Sequence, residues 1–194
     1  MEIFDIVDEN GEPTGETVER EYAHANGIRH RTAHVWLFRM KEDTLEILLQ
    51  KRSPHKDSFP GCYDISSAGH IPAGVNYIPS ALRELREELG LSAEPDKLLY
   101  CGRKSVETRA VFHGKPFHDR QVTRVYALWY TPELGEIRVQ EEEIESVLWV
   151  PFRECMDGVR EGSFQNCIDY DELQMLASAQ MLASADACIC PDAV

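Results

Sequence analysis

The stretch Pro79–Leu89 (PSALRELREEL) leaves this chain the least freedom. Pro79 and Ser80 suit a first helical turn, where a missing N–H costs nothing and a small hydroxyl can cap. Gly90 follows the last periodic residue, as a left-handed helix stop requires. At about 100° per residue, setting Glu84 at zero places Glu87 near −60° and Glu88 near +40°, while Leu85, Leu89 and Leu82 fall near 100°, 140° and 160°. One side is a leucine stripe that must bury against another layer, and the other is a ridge of three carboxylates. Like charges at these spacings repel by a few tenths of a kcal/mol per pair, roughly. Two readings of the ridge stay open. It is a solvated face relieved by Arg83 and Arg86, or it holds a divalent cation, for which oxygen-only donors favour Mg²⁺, Mn²⁺ or Ca²⁺ over zinc.

Around this helix the chain is rich in strands. Asn10-Gly11 between two apolar runs signals a hairpin near the start. A polar, histidine-containing run, EYAHANGIRHR, follows without a periodic pattern. Thr32–Arg39 and Leu45–Lys51 carry the apolar and β-branched content of strands. Ser, Pro and Gly make SPHKDSFPG a loop, and Cys62–Ala68 a short strand is expected. Longer strands are predicted at Leu98–Phe112 and Gln121–Tyr130, a short one at Val147–Val150, and closing helices at Pro151–Arg160 and Asp171–Ala185, with residues 186–194 loose. Strand runs broken by one strong helix point to an α/β (α+β) chain, an α/β/α sandwich with a mixed central sheet.

Composition excludes some classes. The 194 residues carry 34 Asp and Glu against 20 Lys and Arg, a net charge of −14. Such a surface repels phosphate backbones, so no nucleic-acid partner is expected, but a cation can still bridge it to a phosphate substrate. No apolar run approaches the roughly 20 residues of a membrane span, and the N-terminus has no basic and apolar leader, so no membrane partner and a cytoplasmic setting are expected. The six cysteines contain no C-x-x-C and are expected as reduced thiols, with Cys188 and Cys190 a conceivable soft-metal pair.

Gly69 to Leu91 reads GHIPAGVNYIPSALRELREELGL. This resembles the signature of the Nudix hydrolases, G-x5-E-x7-R-E-U-x-E-E-x-G-U, where U is bulky and aliphatic. Gly69, Arg83, Glu84, Leu85, Glu87, Glu88, Gly90 and Leu91 fall in register, and Val75 stands where the first glutamate belongs. The resemblance implies a Nudix domain over residues 31–165, preceded by a hairpin and lead-in (1–30) and followed by a helix and tail (166–194). It implies a metal-dependent hydrolase in which Glu84, Glu87 and Glu88 bind Mg²⁺ or Mn²⁺, Arg83 orients a box carboxylate, and water attacks a phosphorus of a small-molecule diphosphate. Metal lowers the pKa of bound water and neutralises phosphoryl charge, and a further group must take the water's proton. The family draws that base from the box or from a later loop, here Glu141, Glu142, Glu143 or Glu145. Many relatives are dimers, so a homodimer is expected as possible.

Within the family the chain is similar to isopentenyl diphosphate isomerase, through RTAHVWLF, the stretch from Leu48 to His70, and the box. The isomerase has a catalytic cysteine two residues before a metal-binding histidine, where this chain has Ala68, Gly69 and His70. His24 and His30 match its upstream histidines, while Asp119 and Gln121 match its later glutamates poorly. A methyl group cannot transfer a proton, so hydrolysis is favoured over isomerisation. A catalytically weak binding module is the reading that Val75 motivates. His24, His30, His34 and His70 are candidates for a second metal site, against ordinary hydrogen-bonding histidines. Arg52, Gly69 and His70 are the expected substrate contacts, with Lys51, Lys56, Arg103 and Arg120 as weaker phosphate candidates. Phe59, Tyr63, Phe112 and Phe117 either stack on a ligand or serve the core.

Overall fold

A computed structural model describes residues 2–131 and 135–179. Strands β1 (Ile3–Val7) and β2 (Pro13–Glu19) form the expected hairpin, its turn held by the Asp8 carboxylate, which accepts from the Asn10 and Glu12 N–H groups. After α1 (Arg20–Asn26) come β3 (His30–Lys41), β4 (Thr44–Arg52), β5 (Tyr63–Asp64) and β6 (Ser67–His70). The leucine-striped helix is α2 (Tyr77–Leu89), closed by Gly90 at φ 68°. Then follow β7 (Leu99–Phe112), β8 (Lys115–Trp129), β9 (Ile144–Pro151), α3 (Phe152–Glu161) and α4 (Tyr170–Ser178).

Seven strands make one mixed sheet in the order β5-β4-β3-β8-β7, with β6 added to β3 and β9 to β4. β3 and β8 run parallel, from His30 opposite Gln121 to Phe38 opposite Trp129, and their other partners are antiparallel. Period-two alternation gives the sheet two apolar faces. Val35, Leu37, Tyr126 and Leu128 pack under Tyr77, Ala81, Leu85 and Leu89 of α2. Trp36, Phe38, Val125 and Ala127 pack against Phe152 and Cys155 of α3 and Leu173 and Leu176 of α4. The result is the expected α/β/α sandwich.

Three differences from the sequence expectation have local causes. The polar run after β2 forms helix α1, whose single buried side chain, Ala23, leaves no apolar period to read. The strand expected at Cys62–Ala68 is two strands on different partners, because β3 pairs β4 only along Phe38–Lys41 and β6 along Thr32–Val35. Ser66 fills the changeover, its hydroxyl donating to the Leu48 carbonyl at 2.7 Å and accepting from the Leu37 N–H at 2.8 Å. Strand β8 begins at Lys115, six residues before the expected Gln121, as the partner of β7 in a long hairpin. The last part of the helix expected to Ala185, the tail 186–194 and the Cys188–Cys190 pair lie outside the described residues. Among the described residues Cys62, Cys155 and Cys167 are free thiols, and no helix is long and apolar enough to cross a membrane.

Candidate active site and metal centre

Helix α2 delivers the box carboxylates to β6. Glu88 is buried and accepts from the Ala68 N–H at 3.1 Å. Burial pushes its carboxyl up to about 8, and Glu84 rises to about 7 for the same reason. Gly69 makes room for Glu84: a Cβ there would overlap the Glu84 carboxyl group. Arg83 lies between two of the acids, donating to Glu84 Oε1 at 2.5 Å and standing 3.6 Å from Glu87 Oε2. Glu87 is the most open of the three, its side chain 48% exposed. The carboxylates therefore stand on separate partners with a guanidinium between two of them. Buried Glu88 and partly buried Glu84, with their carboxyls raised toward neutrality beside Gly69, fit a divalent cation, which would stabilise their ionised forms.

On the other face of β6 the histidines converge. Among the described residues, one group of ligating side chains is gathered closely enough to share an ion: His24, His30, His70 and Asp119, whose ligand atoms lie within 4.8 Å of one another. His24 comes from α1, His30 from β3, His70 from β6 and Asp119 from β8. His24 Nε2 is 3.2 Å from His70 Nε2, and His30 Nε2 is 3.3 Å from Asp119 Oδ1. Phe4 of β1 stacks on the His30 and His70 rings at 4.7 and 4.8 Å. Burial lowers His24 to about 3, His30 to about 4 and His70 well below the ordinary value, and raises Asp119 to about 6. Neutral imidazoles are the ligating form. His30 Nε2 and Asp119 Oδ1 are buried without a hydrogen-bond partner, which is unusual for polar atoms and is what a bound ion would satisfy. His30 Nδ1 bonds the Ile28 carbonyl at 2.9 Å and Asp119 accepts from Gln121 at 2.6 Å, outer contacts of the kind that aim metal ligands. Three imidazoles and a carboxylate suit zinc or another transition ion better than Mg²⁺.

The remaining candidates divide. His34 stays out of the cluster and bonds Glu172 instead. Asp119, a poor match in sequence, joins it. Its signal was reachable only through the parallel β3/β8 register, which sets Gln121 beside His30. Arg52 spends its guanidinium on Asp64 at 2.8 Å and on the Ser58 carbonyl, so it fastens the loop after β4. Lys51 pairs with Glu145 at 2.9 Å, Arg103 donates to the Asn10 carbonyl, and Arg120 to that of Gly27. Lys56 ion-pairs with Glu143, and its charge reaches both His70 and Glu88. Glu141 and Glu142 are exposed. Phe59, Phe112 and Phe117 form an edge-to-face line that ends on His24, and Tyr63 packs on Phe164. The Val75 carbonyl accepts from Arg31 at 2.9 Å, while its side chain packs against the α2 core.

A family model described as the NUDIX domain matches residues 28–165. Nudix hydrolase 3 of Arabidopsis thaliana is 42% identical over 156 residues, which is 79% of this chain and 20% of that protein. A Nudix hydrolase of Clostridium acetobutylicum is 33% identical over 153 residues, 79% of this chain and 71% of the relative. A Deinococcus radiodurans protein of known crystal structure superposes with a TM-score of 0.62 at 21% identity, over 89% of this chain and 96% of that one, a likeness of fold alone. The chain belongs to the Nudix hydrolase family. The chain spans only a fifth of the length of the Arabidopsis relative.

Proposed function

We propose that this chain cleaves a small-molecule diphosphate by attack of water on phosphorus, with Mg²⁺ or Mn²⁺ held by Glu84, Glu87 and Glu88. The observation that carries the reading is the packing of partly buried Glu84 against Gly69 and of buried Glu88 against Ala68, with Glu87 open beside them. When bound, the ion supplies charge neutralisation and a more acidic water. Arg83 orients Glu84 and gives way to the ion at Glu87. Lys56, whose charge reaches the box and the histidine cluster, takes the diphosphate together with the Gly69–His70 backbone. Arg52 contributes by fixing the loop that carries Lys56. Residues 31–165 form the working domain, with His24 and His30 lent by the lead-in. A reducing, cytoplasmic setting and a homodimer belong to the same proposal; the free thiols suit the first, and the 14-residue edge strand β7 offers a surface for the second.

The test is a panel of nucleoside, sugar, coenzyme and isoprenoid diphosphates with Mg²⁺ and with Mn²⁺. Metal-dependent release of phosphate or monophosphate supports the reading, and unchanged rates in both Glu87→Gln and Glu88→Gln refute it. A second reading has its own observation. The cluster of His24, His30, His70 and Asp119 is what the resemblance to isopentenyl diphosphate isomerase implies for a metal centre. Proton exchange at carbon of isopentenyl diphosphate would favour it, and Ala68 in place of the thiol weighs against it. Ligand-induced thermal stabilisation without turnover on any panel member would instead identify a binding module.

A further inference from the structure

Three arginines meet at the start of α2, away from both metal-capable groups. In the parallel register Arg31 of β3 stands opposite Val122 of β8 and Ala33 opposite Arg124, so the two arginines are diagonal neighbours. Arg103 of β7 stands directly opposite Arg124. Alternation puts Arg31 and Arg124 on the face of Ala33 and Tyr126, which α2 covers. Both guanidinium groups lie over the ring of Tyr77, the first residue of α2, at 5.4 and 4.2 Å from its centre.

Like charges directly opposite on paired strands are unfavourable, and this chain has acids to spare for pairing, 34 against 20 bases. Yet among the described residues neither Arg103 nor Arg124 makes an ion pair. Arg103 donates to the Asn10 carbonyl and side-chain oxygens at 2.6 and 3.3 Å, and half-buried Arg124 has the Tyr126 hydroxyl and the Tyr77 ring. Arg31 is 5% exposed. Its Nη2 donates to Asp5 at 2.6 Å and to the Val75 carbonyl at 2.9 Å, while its Nε is buried without a hydrogen-bond partner. Buried cationic donors are normally paired, so this orphan beside an uncompensated guanidinium marks an acceptor that the chain itself does not supply.

A cleft of about 360 Å³ opens at this point, lined by Arg31, Arg124, Tyr77, Asn76, Glu12 and Pro13. Asn76 makes no side-chain capping bond and α2 has no acid in its first turn, so the positive end of the helix adds to the arginines. Glu12 pairs with neither arginine, and its charge, which acts on the Tyr77 hydroxyl, opposes an anion. The cleft is separate from the box and the cluster. β6 joins one edge of β3 and β8 the other. Glu84 turns to Gly69 of β6, whereas the cleft lies on the β8 side of α2. The histidines occupy the opposite face of the sheet, since His30 alternates with Arg31.

We propose that this cleft is a separate anion site, which takes a phosphoryl group between Arg31 and Arg124 at the start of α2. A tetrahedral dianion offers an acceptor to each guanidinium fork and a charge that matches two cations. Free phosphate and a small phosphorylated metabolite share that chemistry. The site stands independently of the hydrolase reading, because no step of that reaction passes through it.

The test is calorimetric titration of the full chain, without added divalent metal, with inorganic phosphate, AMP and malonate. The wild type is expected to bind phosphate and AMP saturably at one site, and malonate, a dianion of planar carboxylates, about tenfold more weakly. Arg124→Gln should weaken phosphate about tenfold, as loss of one charge-assisted fork implies, and Glu12→Gln should tighten it. Lys56→Gln should leave the affinity unchanged, which separates the cleft from the loop beside the box. AMP tighter than phosphate identifies a phosphorylated metabolite as the occupant, and equal affinities identify free phosphate. Should Arg124→Gln fail to fold, Arg124→Lys is the variant read, since it keeps the charge, loses the fork and should bind several-fold more weakly. A wild type that binds neither phosphate nor AMP overturns the site, and so does a folded Arg124 variant of unchanged affinity. Malonate as tight as phosphate, weaker binding in Glu12→Gln, or binding lost in Lys56→Gln overturns it equally.

Discussion

The two sets of ligating side chains that flank β6 are built on opposite plans. The histidine cluster draws one residue from each of α1, β3, β6 and β8, so four backbones aim at one point and the donor atoms converge within 4.8 Å. The box draws all three glutamates from α2, where positions i, i+3 and i+4 diverge by about 40° to 100° around the axis. Convergence there needs a partner to pull the side chains together, and Arg83 now engages two of the three. A site assembled from many elements is shaped by the fold before any ion arrives. One assembled on a single helix is shaped by what binds it. The first suits a resident ion, and the second suits an ion that arrives with its substrate.

The largest expected effect separates the two directly. Glu88→Gln removes a charge from the box while leaving the cluster intact, and several kcal/mol of transition-state stabilisation goes with it. The expected loss in kcat/KM is about 10²–10³-fold. His70→Ala, by contrast, should lower the transition-metal content of the purified protein, measured by elemental analysis. If Glu88→Gln strips that metal as well, the two sites are one and the comparison fails.

The next effect is on stability, and the two sites pull it in opposite directions. His24 and His30 sit at about 3 and 4 in the fold against 6.5 when unfolded. The unfolded chain then binds more protons between those values, so this contribution is lost as pH falls from 6.5 toward 3. Glu84 and Glu88 sit at about 7 and 8 against 4.5. Here the folded chain binds more protons, so stability is lost as pH rises from 4.5 toward 8. Metal-free protein should melt highest where these windows overlap and the two contributions offset each other, near pH 5–6, and lower on both sides. A cation that binds ionised glutamates removes the alkaline loss, so Mg²⁺ should raise the melting temperature more at pH 8 than at pH 5. Scanning calorimetry across pH, with and without Mg²⁺, reads both limbs. Glu84→Gln with Glu88→Gln should flatten only the alkaline one.

The same contrast explains what could be read from the sequence. The box is local: its leucines, its glutamates and Gly90 lie within one helix, and each is legible from spacing. The sandwich was legible because β3 and β8 alternate or run apolar without interruption. Helix α1 was not, since a seven-residue polar helix has no stripe. Asp119 stood in the sequence only as a poor match because its role depends on β3 and β8 running parallel in one register, which no local pattern states. The His34–Glu172 bond spans 138 positions, and Glu172 in isolation is one more acid on a helix. Arg52 misled for the converse reason: a basic residue after a strand looks like a phosphate ligand until Asp64 and Ser58 are seen to occupy it.

Smaller effects sharpen the box itself. Gly69→Ala would drive a methyl group into the Glu84 carboxyl, and overpacking of this kind costs about 1–3 kcal/mol. Its melting temperature should fall, and Mg²⁺ should restore less of it than in the wild type, because the displaced carboxylate is a ligand.

The smallest expected difference lies between two cations of one loop. Lys56 holds Glu143 with a flexible, compact charge that reaches the box and His70, and a diphosphate can compete for it. Arg52 has its donors fixed by a partly buried carboxylate and a carbonyl, and releasing them would open the loop. Lys56→Gln should therefore raise KM several-fold, as loss of roughly 1 kcal/mol of charge-assisted binding implies, with little change in melting temperature. Arg52→Gln should do the reverse, lowering the melting temperature while moving KM less. Steady-state kinetics beside a thermal melt distinguishes the pair. A larger rise in KM for Arg52→Gln than for Lys56→Gln would return the phosphate contact to the guanidinium and leave the lysine as the loop's anchor.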